Sequence, residues 1–167
     1  MTDLHCTQST RAALDEALDD EYRSRATYRA VLEAFGPVRP FVNIVEAEQR
    51  HIDALLRQYE RLALPVPADP WGGRIDAPAD LEAACRAGVE AELANAELYD
   101  RLLTMTEDPQ VRHVFGNLQR ASQERHLPAF QRCSERGGAG GGGRVRGAAG
   151  AVEAAEDPGG AVAERHR

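Results

Sequence analysis

A carboxylate and an imidazole lie inside an apolar helical stripe instead of opposite it, and no other feature constrains this chain as much. The stripe runs Phe41, Ile44, Val45, Ile52, Leu55, Tyr59, Leu62, and Glu48 and His51 fall on it. Three residues apart, they occupy one helical face and point the same way. Two ionisable side chains are thereby directed at a core. A buried carboxylate is costly unless it is paired or bound to a metal, so the fold must bring partners to this face.

The rest of the chain reads as further helices with the same peculiarity. A helix is expected from about Ser9 or Thr10 to Phe35, after a loose N-terminus, with a stripe of Leu14, Ala17, Leu18, Tyr28, Val31, Leu32 and Phe35. Glu21 lies on that stripe, one heptad from Leu14 and from Tyr28, while Asp15, Glu16, Asp19 and Asp20 are expected on a solvated outer face. Gly36 to Pro40 ends this helix with glycine and opens the next with proline, a link short enough to make the two antiparallel neighbours. Proline-rich residues Ala63 to Ala79 form a long link, with Trp71 as a plug against the bundle. At about 3.3 Å per extended residue the link can cross a helix length, so helix 3 can run parallel to helix 2.

Helix 3 is expected from Asp80 to Met105, its stripe comprising Leu81, Cys85, Gly88, Ala96, Tyr99, Leu102 and Leu103, with Glu92 among them. Asp108-Pro109 reads as an N-cap and first helical residue of helix 4. Val114, Phe115, Leu118, Ser122, His126, Ala129 and Cys133 share one side of that helix, and Pro128 should kink it or loosen its last turns.

Composition narrows the class. Ala, Leu, Glu and Arg dominate, which favours an all-α domain. The net charge of -7 belongs to residues 1–133, because acids and arginines balance from Ser134 onward. An acidic body without a basic stripe argues against nucleic acid as the main partner. Cys6, Cys85 and Cys133 give an odd count without C-x-x-C spacing, which leaves reduced thiols of a cytosolic protein as the expectation. There is no signal-peptide pattern and no run of about 18 apolar residues, so the protein is expected to be cytoplasmic and to make no membrane contact. Residues 134–167, rich in Gly, Ala and Arg, are expected to be a disordered tail behind a bundle spanning 9–133.

The two halves of the bundle repeat each other. Glu21-x6-Tyr28 matches Glu92-x6-Tyr99, and Glu48-Gln-Arg-His51-Ile matches Gln123-Glu-Arg-His126-Leu, at offsets of 71 and 75 residues. Two helix hairpins, each offering an inward Glu and then an inward His, make a four-helix bundle with approximate two-fold symmetry. Dinuclear metal sites are built in such bundles from a Glu on two helices and Glu-x-x-His on the other two.

At these residues the chain resembles the ferritin-like superfamily, in the rubrerythrin style of its Glu-x6-Tyr helices. It is most similar to a bacterial ferritin-like family of unknown function, through Val42 to His51, Phe35 to Pro37 and Asn117 to Phe130. The resemblance covers about residues 12–133. It implies an antiparallel four-helix bundle with a long crossover between helices 2 and 3. It also implies a carboxylate-bridged di-iron site with Glu21, Glu48, His51, Glu92 and His126 as ligands, Mn or Zn being alternatives to iron. The activity implied is ferroxidase or peroxidase-like, using O₂ or peroxide in iron handling or oxidative-stress protection, and a homodimer is one assembly it allows. Tyr28 and Tyr99 are expected to direct hydroxyls at ligand carboxylates, while His5, His113, His166, Glu46, Glu90 and Glu97 lie outside the site.

One departure stands out. The repeat puts Gln123 where the symmetric plan requires a carboxylate, so either Glu124 is recruited near Pro128 or one metal is held firmly and the second weakly. Gln123 favours a different class of reading: a non-catalytic interaction module binding one divalent metal or none. Along the helix axis, Glu21 and Glu48 are expected roughly 9 Å apart, a gap that His51 shortens to about 4 to 5 Å.

Overall fold

A computed structural model describes the backbone of residues 2–139 and the side chains of residues 8–136. The described residues contain helices and no strand. They are α1 (Thr2–Phe35), α2 (Phe41–Arg61), α3 (Leu81–Met105) and a fourth rod made of α4 (Pro109–Ala121), a π-helical turn (Ser122–His126) and α5 (Leu127–Ala139). The first helix thus starts at Thr2, and the expected loose N-terminus is not seen. Cys6 and His5 belong to residues whose side chains are not described. The last helix continues to Ala139, past the boundary expected at residue 134, and the remainder of the tail lies outside the described residues.

Local chemistry sets the boundaries. Gly36 ends α1 with φ +81°, a left-handed conformation that glycine adopts without a Cβ clash. Asp80 caps α3 by accepting from the Ala83 N–H at 2.7 Å. Asp108 accepts from the N–H groups of Gln110 and Val111, both at 3.0 Å, and Pro109 follows it where no N–H is required.

Cross-helix contacts fix the topology. Arg25 meets Gln49 and Asp15 meets Tyr59, so α1 and α2 are antiparallel. Ser9 bonds to Met105 and Tyr28 to Glu92, which makes α3 antiparallel to α1 and therefore parallel to α2. Gln119 bonds to Asp100 while Cys133 lies on Cys85, so the fourth rod returns antiparallel to α3. The parallel pair requires the crossover, and Trp71 seats it on the bundle, donating from Nε1 to Asp19 at 2.8 Å. Among the described residues, no helix is long and apolar enough to cross a membrane.

The core is divided into two apolar layers. One contains Leu14, Leu18, Ile52, Leu55, Tyr59, Tyr99, Leu102 and Phe115; the other contains Tyr28, Val31, Phe41, Ile44, Cys85 and Phe130. In the second layer the rings of Tyr28, Phe41 and Phe130 pack with centroids 5.2 to 5.8 Å apart. Phe130 also presses on Gly88, where an added Cβ would lie 2.6 Å from its ring, so α3 and α5 approach closely there.

Several expectations are corrected. Cys85 and Cys133 form a disulfide, with Cα atoms 5.7 Å apart, instead of remaining reduced thiols. Leu81, at the start of α3, is exposed instead of joining the stripe. Asp20 is buried, not solvated, because it accepts from Arg23 and from Asn95.

Candidate metal centre

Between the two apolar layers the helices bring five ionisable side chains together: Glu21 from α1, Glu48 and His51 from α2, Glu92 from α3 and His126 from the π turn. All three carboxylates and His126 are buried. His51 Nδ1 lies 3.1 Å from Glu21 Oε2 and 3.0 Å from Glu48 Oε2, which closes the axial gap expected between those carboxylates. His126 Nδ1 lies 3.4 Å from Glu48 Oε1 and 3.5 Å from Glu92 Oε1. Two groups of three can therefore each surround an ion, Glu21 with Glu48 and His51, and Glu48 with Glu92 and His126. Glu48 belongs to both, offering one oxygen to each.

A surrounding layer orients these groups. Tyr99 donates to Glu21 Oε1 at 2.7 Å and Tyr28 to Glu92 Oε1 at 3.1 Å, as the Glu-x6-Tyr frames led us to expect. Ser122 donates to Glu92 Oε2 at 2.5 Å. Gln123 and Glu124, by contrast, are exposed. The π turn accounts for this. The Leu127 N–H reaches back five residues to Ser122 O, so the segment contains one residue more than an α-helix would use. Glu48 precedes His51 by three residues, whereas Ser122 precedes His126 by four, and it is Ser122 that occupies the position of Glu48. Neither Gln123 nor Glu124 takes part. Pro128 sits just beyond the turn, lacking the N–H that an α-helical bond to Glu124 O would need.

The electrostatics of the metal-free cluster follow from burial and mutual contact. Burial, reinforced by the Glu48 charge and only partly offset by His51, pushes the Glu21 carboxyl up to about 8. Burial alone would also raise Glu48, but its hydrogen bonds to His126 and His51 prevail and hold it at about 2. For the imidazoles burial works downward and the carboxylates outweigh it: Glu21 and Glu48 lift His51 to about 10, and Glu48 and Glu92 lift His126 to about 9. At neutral pH protons thus occupy Glu21, His51 and His126, compensating the charge that a cation would otherwise neutralise.

The residues suit divalent ions of intermediate hardness, which take mixed carboxylate and imidazole ligands. The space among them, about 10 Å³, is of the size of one water molecule. Asn95 also lines it, and Asn95 Oδ1 is the buried side-chain atom left without a hydrogen-bond partner among the described residues. A buried acceptor beside a polar cavity needs a water or another donor. Sequence reasoning did not single out Asn95. Ser122 was legible on the inward stripe but not as the counterpart of Glu48. His113, Glu46, Glu90 and Glu97 are exposed, away from the cluster, and His166 lies outside the described residues.

No family model matches the sequence, and no curated protein does. Among solved structures, the crystal structure of a hypothetical protein from Methanococcus jannaschii DSM 2661 superposes with a TM-score of 0.68 at 21% identity, covering 76% of this chain and 80% of that one. At that identity the likeness concerns the fold alone.

Proposed function

We propose that this bundle is a ferritin-like protein holding two divalent metal ions, iron in the first instance, with Glu48 bridging them. Glu21 and His51 complete one position, and Glu92 and His126 the other. The observation that carries this reading is the sharing of Glu48 between two three-residue groups. A pair of ferrous ions would supply the electrons for reduction of O₂ or peroxide, which is ferroxidase or peroxidase-like chemistry serving iron handling or oxidative-stress protection. The chain's own part is positional. Tyr99 and Tyr28 hold the terminal carboxylates by one oxygen each, Ser122 secures the second oxygen of Glu92, and Asn95, on the cavity lining, keeps its Oδ1 as an acceptor without a donor among the described residues.

A second reading draws on a specific observation. The five groups already form a closed network in which each histidine bridges two carboxylates, and Ser122 replaces a fourth carboxylate. A non-catalytic module with one metal or none would be stable on those terms. Metal content of protein purified without chelators, followed by anaerobic Fe(II) titration and exposure to air, separates the two. Two irons per chain, lost in Glu48→Ala and halved in Glu21→Ala, are expected. Less than one metal per chain, unchanged by Glu48→Ala, would leave only the second reading.

A further inference from the structure

Outside the metal cavity, α2 and the fourth rod enclose a groove of about 430 Å³, within the range of small-molecule sites. His51, His126 and Leu118 line both spaces, so the two imidazoles form the partition between them. In each ring Nδ1 meets the carboxylates, and Nε2 has no hydrogen-bond partner among the described residues. Arg50 and Arg125, both exposed, also line the groove, each one residue before its histidine. Neither guanidinium enters an ion pair among the described residues.

The lining is symmetric in sequence as well as in space. Asn43, Ile44 and Ala47 precede His51 by 8, 7 and 4 residues. Their counterparts Asn117, Leu118 and Ala121 precede His126 by 9, 8 and 5, one more in each case because of the π turn. Repetition of the metal ligands therefore also repeats an apolar floor, an amide and an arginine on both walls. Two arginines on opposite walls of one groove, without a carboxylate partner among the described residues and in an otherwise acidic chain, offer positive charge to an anionic ligand.

We propose that this groove binds a small organic acid, its carboxylate held between Arg50 and Arg125 and its apolar body on the Ile44, Ala47, Leu118 and Ala121 floor. The groove adjoins the metal centre proposed above through His51 and His126, which line both. Binding itself needs no metal, so the two readings fail separately.

The test uses the full chain after chelation, with benzoate and the neutral benzamide as probes, followed by calorimetry and by the methyl resonances of Ala47 and Ala121. Benzoate is expected to bind about tenfold tighter than benzamide or more, as charge-assisted contacts require. Arg50→Gln and Arg125→Gln, both at exposed positions, should each weaken benzoate about fivefold or more while leaving benzamide unchanged. Arg57→Gln, on α2 outside the groove, should change neither. Equal affinity for the two probes, methyl shifts located elsewhere, no benzoate binding at millimolar concentration, or a groove already covered by a second copy of the chain would each overturn the proposal.

Discussion

Three protons held by Glu21, His51 and His126 make the metal-free site a pH-dependent part of the molecule. Their folded-state values, about 8, 10 and 9, all lie above the ordinary values of 4.5, 6.5 and 6.5. The folded chain thus binds more protons than the unfolded chain once the pH exceeds about 4.5, and stability falls as pH rises, between 4.5 and 8 through Glu21 and from 6.5 to about 9 and 10 through His126 and His51. Each group contributes at most about 1.4 kcal/mol per pH unit within its window. Glu48 has the opposite sign: held at about 2, its contribution is present above 4.5 and lost as pH falls towards 2. We therefore expect the melting temperature of chelated protein to decrease between pH 6.5 and 9, and metal to abolish that decrease by taking the place of the protons. Metal affinity, measured against a competing chelator, should rise steeply over the same range because binding releases those protons. A flat profile for the chelated protein would mean that the five groups do not share protons as the distances require. At this scale the sequence was informative wherever periodicity decides orientation. All five candidates and both tyrosines could be placed inward from their stripes, whereas Asn95 and Asp20 could not, since their burial depends on a bond between α1 and α3.

Among the elements, the π turn decides how the second half of the site differs from the first. Apolar periodicity reads well on either side of it, through Leu118 before and Phe130 after, yet an extra residue inside a helix leaves no gap in a stripe. Repeat matching therefore aligned Gln123 with Glu48 one position out of register. Pro128 was the local sign of irregularity, and its missing N–H is consistent with the extra residue being accommodated in the turn before it. Caps and breakers, by contrast, were legible because Gly36, Asp80 and Asp108 act on their immediate neighbours. The register yields a paired prediction. Ser122→Asp introduces a carboxylate beside Glu92, where Ser122 now donates, and should tighten binding of the second metal about tenfold, as expected for a change in a group that orients a ligand. Gln123→Glu, at an exposed position, should leave both affinities unchanged. Competition titrations of the two variants decide the matter, and a gain in Gln123→Glu alone would reject the assigned register.

For the whole molecule, the disulfide and the crossover stabilise different parts of the same bundle. Trp71 and Asp69 attach the link to α1 beside the site, through Asp19 and Arg25, whereas Cys85 and Cys133 join α3 to α5 in the second apolar layer. No spacing rule could pair those cysteines, which are 48 residues apart on different helices. Their proximity is a tertiary consequence of Gly88, whose missing Cβ lets Phe130 and with it α5 come close to α3. Chain-entropy arguments give about 4 kcal/mol for a cross-link closing a loop of this length. Reduction should therefore lower the unfolding free energy by about that amount, read as a shift in denaturant midpoint between oxidised and reduced protein. Metal stoichiometry should remain the same, because Tyr28, Tyr99 and Ser122 position the carboxylates through bonds that do not involve the cysteines. If reduction abolished metal binding while the bundle stayed folded, the second apolar layer and the site would have to be one cooperative unit. An unchanged midpoint would mean instead that the close approach at Gly88 holds α3 and α5 together without the covalent bond.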